Sequence, residues 1–183
     1  MKHIALFTCS FLLLLFTNSC ETSNKNTEST LPSDTVKKDA RLIHKEPGKY
    51  AFDYNGIYLE IDANRAARVS AFRWDEVNFF TDESVNKDNW GTSLWTSPQS
   101  AWGWPPSRQI DVLPYKVERM DSLSVEFTSQ KDSLLGYVVK KKYNFNTADT
   151  SVWITYTIVN ASDKKQKVAP WEISRVAPGG LTL

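Results

Sequence analysis

The sequence predicts an all-β fold of antiparallel strands, and three observations carry that prediction. From Lys49 onward the apolar residues recur with a period of two, as Ile57, Leu59 and Ile61 do in GIYLEID. Turn-forming stretches such as DANR and NTAD separate the runs. No window carries the 3.6-residue apolar period of an amphipathic helix.

GIYLEID (56–62) leads through DANR into ARVSAF (67–72). LSVEFT (123–128) sets Leu123, Val125 and Phe127 against Ser124, Glu126 and Thr128. YVVKKKYNF (137–145) and SVWITYTIV (151–159) flank NTAD, whose Asn and Asp suit a hairpin connection. Within 151–159, Val152, Ile154, Tyr156 and Ile158 share a face. Trp153 and Val159 stand opposite them, a pattern that predicts strands covered on both sides, as in a large sandwich. Lys140–Lys142 reads as a solvated face. KQKVAPWEISRV (165–176) makes a further run, interrupted by Pro170. Internal repeats are not evident, which argues against a propeller or solenoid.

Three segments precede and make up this region. Lys2, the apolar run Ile4–Phe16 and the small residues before Cys20 read as a signal peptide over 1–19. The run is shorter than the roughly 20 residues of a membrane-spanning helix. Small residues ahead of Cys20 resemble the lipobox of bacterial lipoproteins, although Thr17 stands where a Leu is usual. That resemblance implies a lipidated Cys20 and a place in the bacterial cell envelope, anchored to a membrane by its acyl chains. A plain secretory signal is the other reading. Cys9 lies inside the signal, which leaves Cys20 as the single cysteine of the mature chain. Residues 20–48 are polar and read as a disordered tether, and 49–183 as one β-sandwich domain. Leu181 and Leu183 after Gly179-Gly180 look like a strand just beginning, so the domain is expected to be incomplete at its C-terminus.

The chain carries 22 Lys and Arg against 21 Asp and Glu, with no basic stripe, which argues against a nucleic-acid partner. No metal-ligand spacing, Gly-rich phosphate loop or Ser/His/Asp set occurs, so no metal or cofactor is expected.

The densest chemical signal is WGTSLWTSPQSAWGWPP (90–106), which holds four of the seven tryptophans. Trp95, Trp102 and Trp104 suit either a stacking platform for pyranose rings or a buried plug, and Trp90 reads as packing. Gln99 is a candidate hydroxyl-binding amide. In WEISR, Glu172 and Arg175 are three apart, so a regular strand turns them to opposite sides. Glu172 in apolar surroundings could act as acid or base, or simply accept hydrogen bonds.

WTSPQSAWGWPP and APWEISRVAPGG, in this order of strands, resemble the galactose-mutarotase-like (aldose epimerase) superfamily, closest to the uncharacterised DUF4380-type bacterial proteins. The resemblance runs from about Gly56 to the end and implies an antiparallel β-supersandwich with a sugar-binding face. It implies a role near the sugar for Arg108, whose other reading is a solvated strand-end residue. Active epimerases pair a carboxylate base with a His; here Trp171 and Glu172 stand where the His is expected. The only histidines are His3 and His44, and the family's carboxylate falls beyond Leu183. The expectation is a lipid-anchored carbohydrate-binding protein, with Trp171 and Arg175 joining the tryptophan segment and Glu172 the tentative catalytic residue. The alternatives are an aldose 1-epimerase-like isomerase, a polysaccharide-processing enzyme, or an inactive fragment.

Overall fold

The computed structural model describes residues 40–179, which are organised as three antiparallel sheets. The first sheet runs in sequence order through β1 (Leu42–Glu46), β2 (Lys49–Tyr54), β3 (Ile57–Asp62), β4 (Arg68–Trp74) and β5 (Val77–Asn78). After β6 (Thr92–Ser97) and a single helical turn, α1 (Arg108–Asp111), come β7 (Lys116–Met120), β8 (Ser124–Thr128), β9 (Tyr137–Asn146) and β10 (Ser151–Asn160). These four form the second sheet as a meander. The last strand, β11 (Ala169–Ser174), returns across the sequence to pair with β6.

The alternation read from the sequence closes the sandwich. Phe52 of β2 stacks on Phe145 of β9 with ring centres 5.4 Å apart, and Tyr50 meets Phe127 of β8 edge-on at 5.4 Å. Val125, Phe127, Val139, Tyr143 and Phe145 face Phe52, Leu59, Ile61 and Val69 in one core. The Tyr143 hydroxyl crosses it to donate a 2.6 Å hydrogen bond to the Ala67 carbonyl, which satisfies a polar tip that burial would otherwise leave costly. Burial pushes the Tyr143 phenol well above its ordinary pKa.

Gly91 determines how β6 enters this frame. Its φ is +57°, and a Cβ there would collide with the Val69 carbonyl oxygen. Without one, β6 lies close to β4, and the Thr92 hydroxyl accepts from the Val69 amide at 3.0 Å.

Several expectations need correction. The folded region begins at β1, inside the stretch assigned to the tether: Leu42 pairs with Phe52, and His44 stacks on Tyr50 at 4.9 Å. An edge strand with two apolar residues leaves little mark in a sequence, because its partner supplies the order. The outer face of β10 is open, with Trp153 66% and Val159 39% exposed, so bulky residues on both faces did not mean cover on both. Lys141 is not solvated. It is 1% exposed, in the inward row of Tyr137, Val139, Tyr143 and Phe145. The signal peptide, Cys20, tether residues 20–39 and residues Leu181 and Leu183 lie outside the described residues. Among the described residues no helix is long and apolar enough to cross a membrane.

Candidate functional site

Three of the candidate site residues lie on the two-stranded ribbon of β6 and β11, where Trp171 pairs with Trp95 and Glu172 with Leu94. Because side chains alternate along a strand, the ribbon has two chemically different faces.

One face is aromatic. Trp95, 8% exposed, is its hub, and three indoles meet it edge-to-face: Trp171 at 5.4 Å, Trp104 at 5.5 Å and Trp102 at 6.1 Å between ring centres. Edge-to-face contacts bring the positive ring edge to the negative ring face, each contributing roughly 0.5–1.5 kcal/mol beyond burial. Trp102 is anchored further by its indole N–H, which donates to the Thr96 carbonyl at 2.8 Å. Trp104 and Trp171 remain 63% and 40% exposed. The Arg175 guanidinium lies 5.6 Å from the Trp95 ring centre and donates to Ser93 at 2.8 Å and Asn89 at 3.3 Å. These partners fix its plane against the indole, and partial burial lowers its pKa. The candidate platform is therefore part plug and part surface: Trp95 is core, Trp102 half-buried, Trp104 and Trp171 open.

Gln99 is exposed in a 3₁₀ turn (Gln99–Ala101) just before Trp102. Arg108 is exposed at the start of α1, lining a groove of about 310 Å³ with Trp102, Pro105 and Leu134. Of the tryptophans expected to bind sugar, Trp102 lines that groove with Arg108, and Trp95, Trp104 and Trp171 do not.

The other face carries Glu172, Thr92 and Ser174, which line an apolar cleft of about 340 Å³. Its walls include Leu59, Val69 and Phe72 of the first sheet and Ile154 of β10. Glu172 as a residue keeps an exposed side, but its carboxylate stands among Tyr156, Lys141 and Thr92. Desolvation raises its pKa, against the opposing pull of the Tyr156 and Thr92 hydroxyls and the Lys141 ammonium. The Tyr156 phenol is pushed up in turn, by burial first and then by neighbouring Tyr143 and Glu172. The Lys141 ammonium lies 5.4 Å from the Tyr115 ring centre and 6.0 Å from that of Tyr156. Burial brings its pKa down to about 8, with Glu172 and Asp111 resisting.

Behind this cluster lies Arg68, 1% exposed, which donates to the carbonyls of Trp90 and Asp111, each at 3.1 Å. It also stacks over Trp90 at 4.7 Å and approaches the Asp111 carboxylate at 3.7 Å. Trp90 is packing, 4% exposed.

Glu172 and the tryptophans thus do not share one cleft; they stand back to back on one ribbon. Sequence reasoning missed Lys141, Arg68, Asp111, Thr92 and Tyr156. For Lys141 a signal existed, since it falls in step with Val139 and Tyr143, and a charge in an otherwise apolar row marks an interior site. Among the described residues no group of three His, Cys, Asp or Glu is placed to hold a metal ion. No protein-family model matches the chain, and no curated protein and no solved structure matches it.

Proposed function

We propose that the aromatic face of the β6–β11 ribbon binds carbohydrate, in a lipid-anchored protein of the galactose-mutarotase-like supersandwich type. The observation that carries this reading is the exposure of Trp104 and Trp171 while both are held edge-on to the buried Trp95. An indole immobilised by its neighbours presents its free surface to the C–H face of a pyranose with little ordering cost. Arg175 beside the hub and Gln99 on the adjoining turn supply polar groups nearby. The lipid anchor rests on the residues around Cys20 and the family on the resemblance of WTSPQSAWGWPP and APWEISRVAPGG.

Titrating the chain from Val36 onward, a compact unit in itself, with a panel of mono- and oligosaccharides is expected to shift tryptophan emission. Trp171→Ala and Trp104→Ala should each weaken binding by about tenfold or more, and Trp153→Ala on the far sheet should leave it unchanged. A folded sample whose emission responds to no sugar overturns the proposal.

Glu172 favours a second reading, acid–base catalysis of sugar anomer exchange, because a carboxylate with a raised pKa beside a buried ammonium suits proton transfer. Under this reading polarimetry shows faster interconversion of aldose anomers, and Glu172→Gln removes the acceleration. A rate equal to that of buffer for every aldose sinks it.

A further inference from the structure

We propose that two copies of this chain pair through the free edge of β10, across a two-fold axis, to make one continuous eight-stranded sheet. In the second sheet β10 is at one end of the order β10-β9-β8-β7, so among the described residues no strand covers its outer edge. SVWITYTIVN is ten residues long, contains no charge, Pro or Gly, and is rich in β-branched and aromatic side chains. Edge strands normally carry charges, bulges or prolines that discourage pairing, and β10 has none of these devices.

The backbone sets which residues can bond outward. Ala161 donates to the Gly136 carbonyl at 2.9 Å, continuing the regular β10–β9 register in which Asn160 faces Tyr137. Antiparallel ladders alternate, so the odd-numbered residues of β10 bond to β9 and the even-numbered ones, Val152 to Asn160, point to the free edge. A second β10 running antiparallel about Tyr156 sets even residues against even. Ile154 then faces Ile158 of the other copy, Val152 faces Asn160, and every outward amide and carbonyl from 152 to 160 finds a partner.

The same register places odd residues in non-hydrogen-bonded pairs, where side chains approach most closely. Trp153 falls opposite Val159, and Thr155 opposite Thr157. The two large apolar side chains that β10 exposes, at 66% and 39%, therefore cover each other twice across the axis. Centring the axis on Thr155 instead sets Trp153 against Thr157. Self-complementarity of this kind is what an isologous interface requires, and it makes a second copy the occupant.

Analytical ultracentrifugation of the chain from Val36 onward is expected to show a discrete dimer, with a shift of tryptophan emission to shorter wavelength as concentration rises that Trp153→Phe removes. Thr155 and Thr157 are exposed, so charges there leave the fold intact. Thr155→Lys with Thr157→Lys sets lysines against lysines and should raise the dimer dissociation constant by about tenfold or more. Thr155→Lys with Thr157→Glu sets Lys against Glu at both crossings and should keep the dimer. A monomeric parent chain, a polydisperse ladder of larger species, or the same response from both double variants overturns the proposal.

Discussion

Lys141→Met is expected to stabilise the protein at pH 7, by on the order of 2–3 kcal/mol. The ammonium is 1% exposed and its pKa falls from 10.5 to about 8, so the folded state holds the charged form less well than the unfolded chain does. Between about pH 8 and 10.5 the unfolded state binds more protons, and the stability of the parent chain rises with pH across that window. Methionine has a similar length and no charge to desolvate. The variant should therefore be more stable at pH 7 and lose the rise above pH 8, while the two proteins converge near pH 10.5. Losing the ammonium's contacts with the Tyr115 and Tyr156 rings and its attraction to Glu172 opposes this gain. Desolvation is the largest influence on Lys141, so the net sign is stabilising. Urea unfolding at pH 7, 9 and 10.5 measures it, and a variant less stable than the parent at pH 7 refutes the account.

Arg68→Ala is expected to act in the opposite direction, costing about 3–5 kcal/mol. Arg68 is buried like Lys141, but it is surrounded by acceptors: the Trp90 and Asp111 carbonyls at 3.1 Å, the Asp88 carbonyl at 3.4 Å and the Asp111 carboxylate at 3.7 Å. Truncation strands these groups and takes from the Asp111 charge, in a residue 8% exposed, the guanidinium that lies 3.7 Å from it. Adding Asp111→Asn should restore part of the loss, because that charge goes with it. Urea unfolding of the single and double variants tests this: equal stabilities for the two would mean that the lost packing against Trp90, and not the charge, dominates.

These two cations show how far a period of two can be read. Alternation was enough to find β3, β8, β9 and β10 and to make the fold all-β, because each carries an apolar row that must be buried. The same rule applied strictly would have placed Lys141 inside, between Val139 and Tyr143. Residue type argues for a solvated Lys141 and position for a buried one, and in the fold position prevails. Arg68 opens β4 in a short polar–apolar stretch, and its burial depends on α1 and Trp90, both distant in sequence. Position alone could not have found it. The tryptophan segment was legible as a cluster because four indoles fall within 17 residues. Its partner Trp171 is joined to it by pairing of β11 with β6, across more than 70 residues. The resemblance of WEISR to a ligand-bearing strand puts Glu172 with the tryptophans, but adjacent residues of a strand face away from each other, and the carboxylate stands on the face opposite Trp171.

The ribbon's construction also decides which kinds of sequence change it can absorb. Substituting Trp171 alters the indole surface and leaves Glu172 and Ser174 where they are, so either surface can be remodelled without disturbing the other. Inserting or deleting one residue between Pro170 and Ser174 does the reverse. When the change falls between Pro170 and Trp171 and the pairing before it is held, it turns the indole of Trp171 toward the cleft and the carboxylate of Glu172 toward Trp95, exchanging the two surfaces in one step. Variation among chains built this way is therefore expected as replacements along β11, with length changes confined to the loop that precedes it.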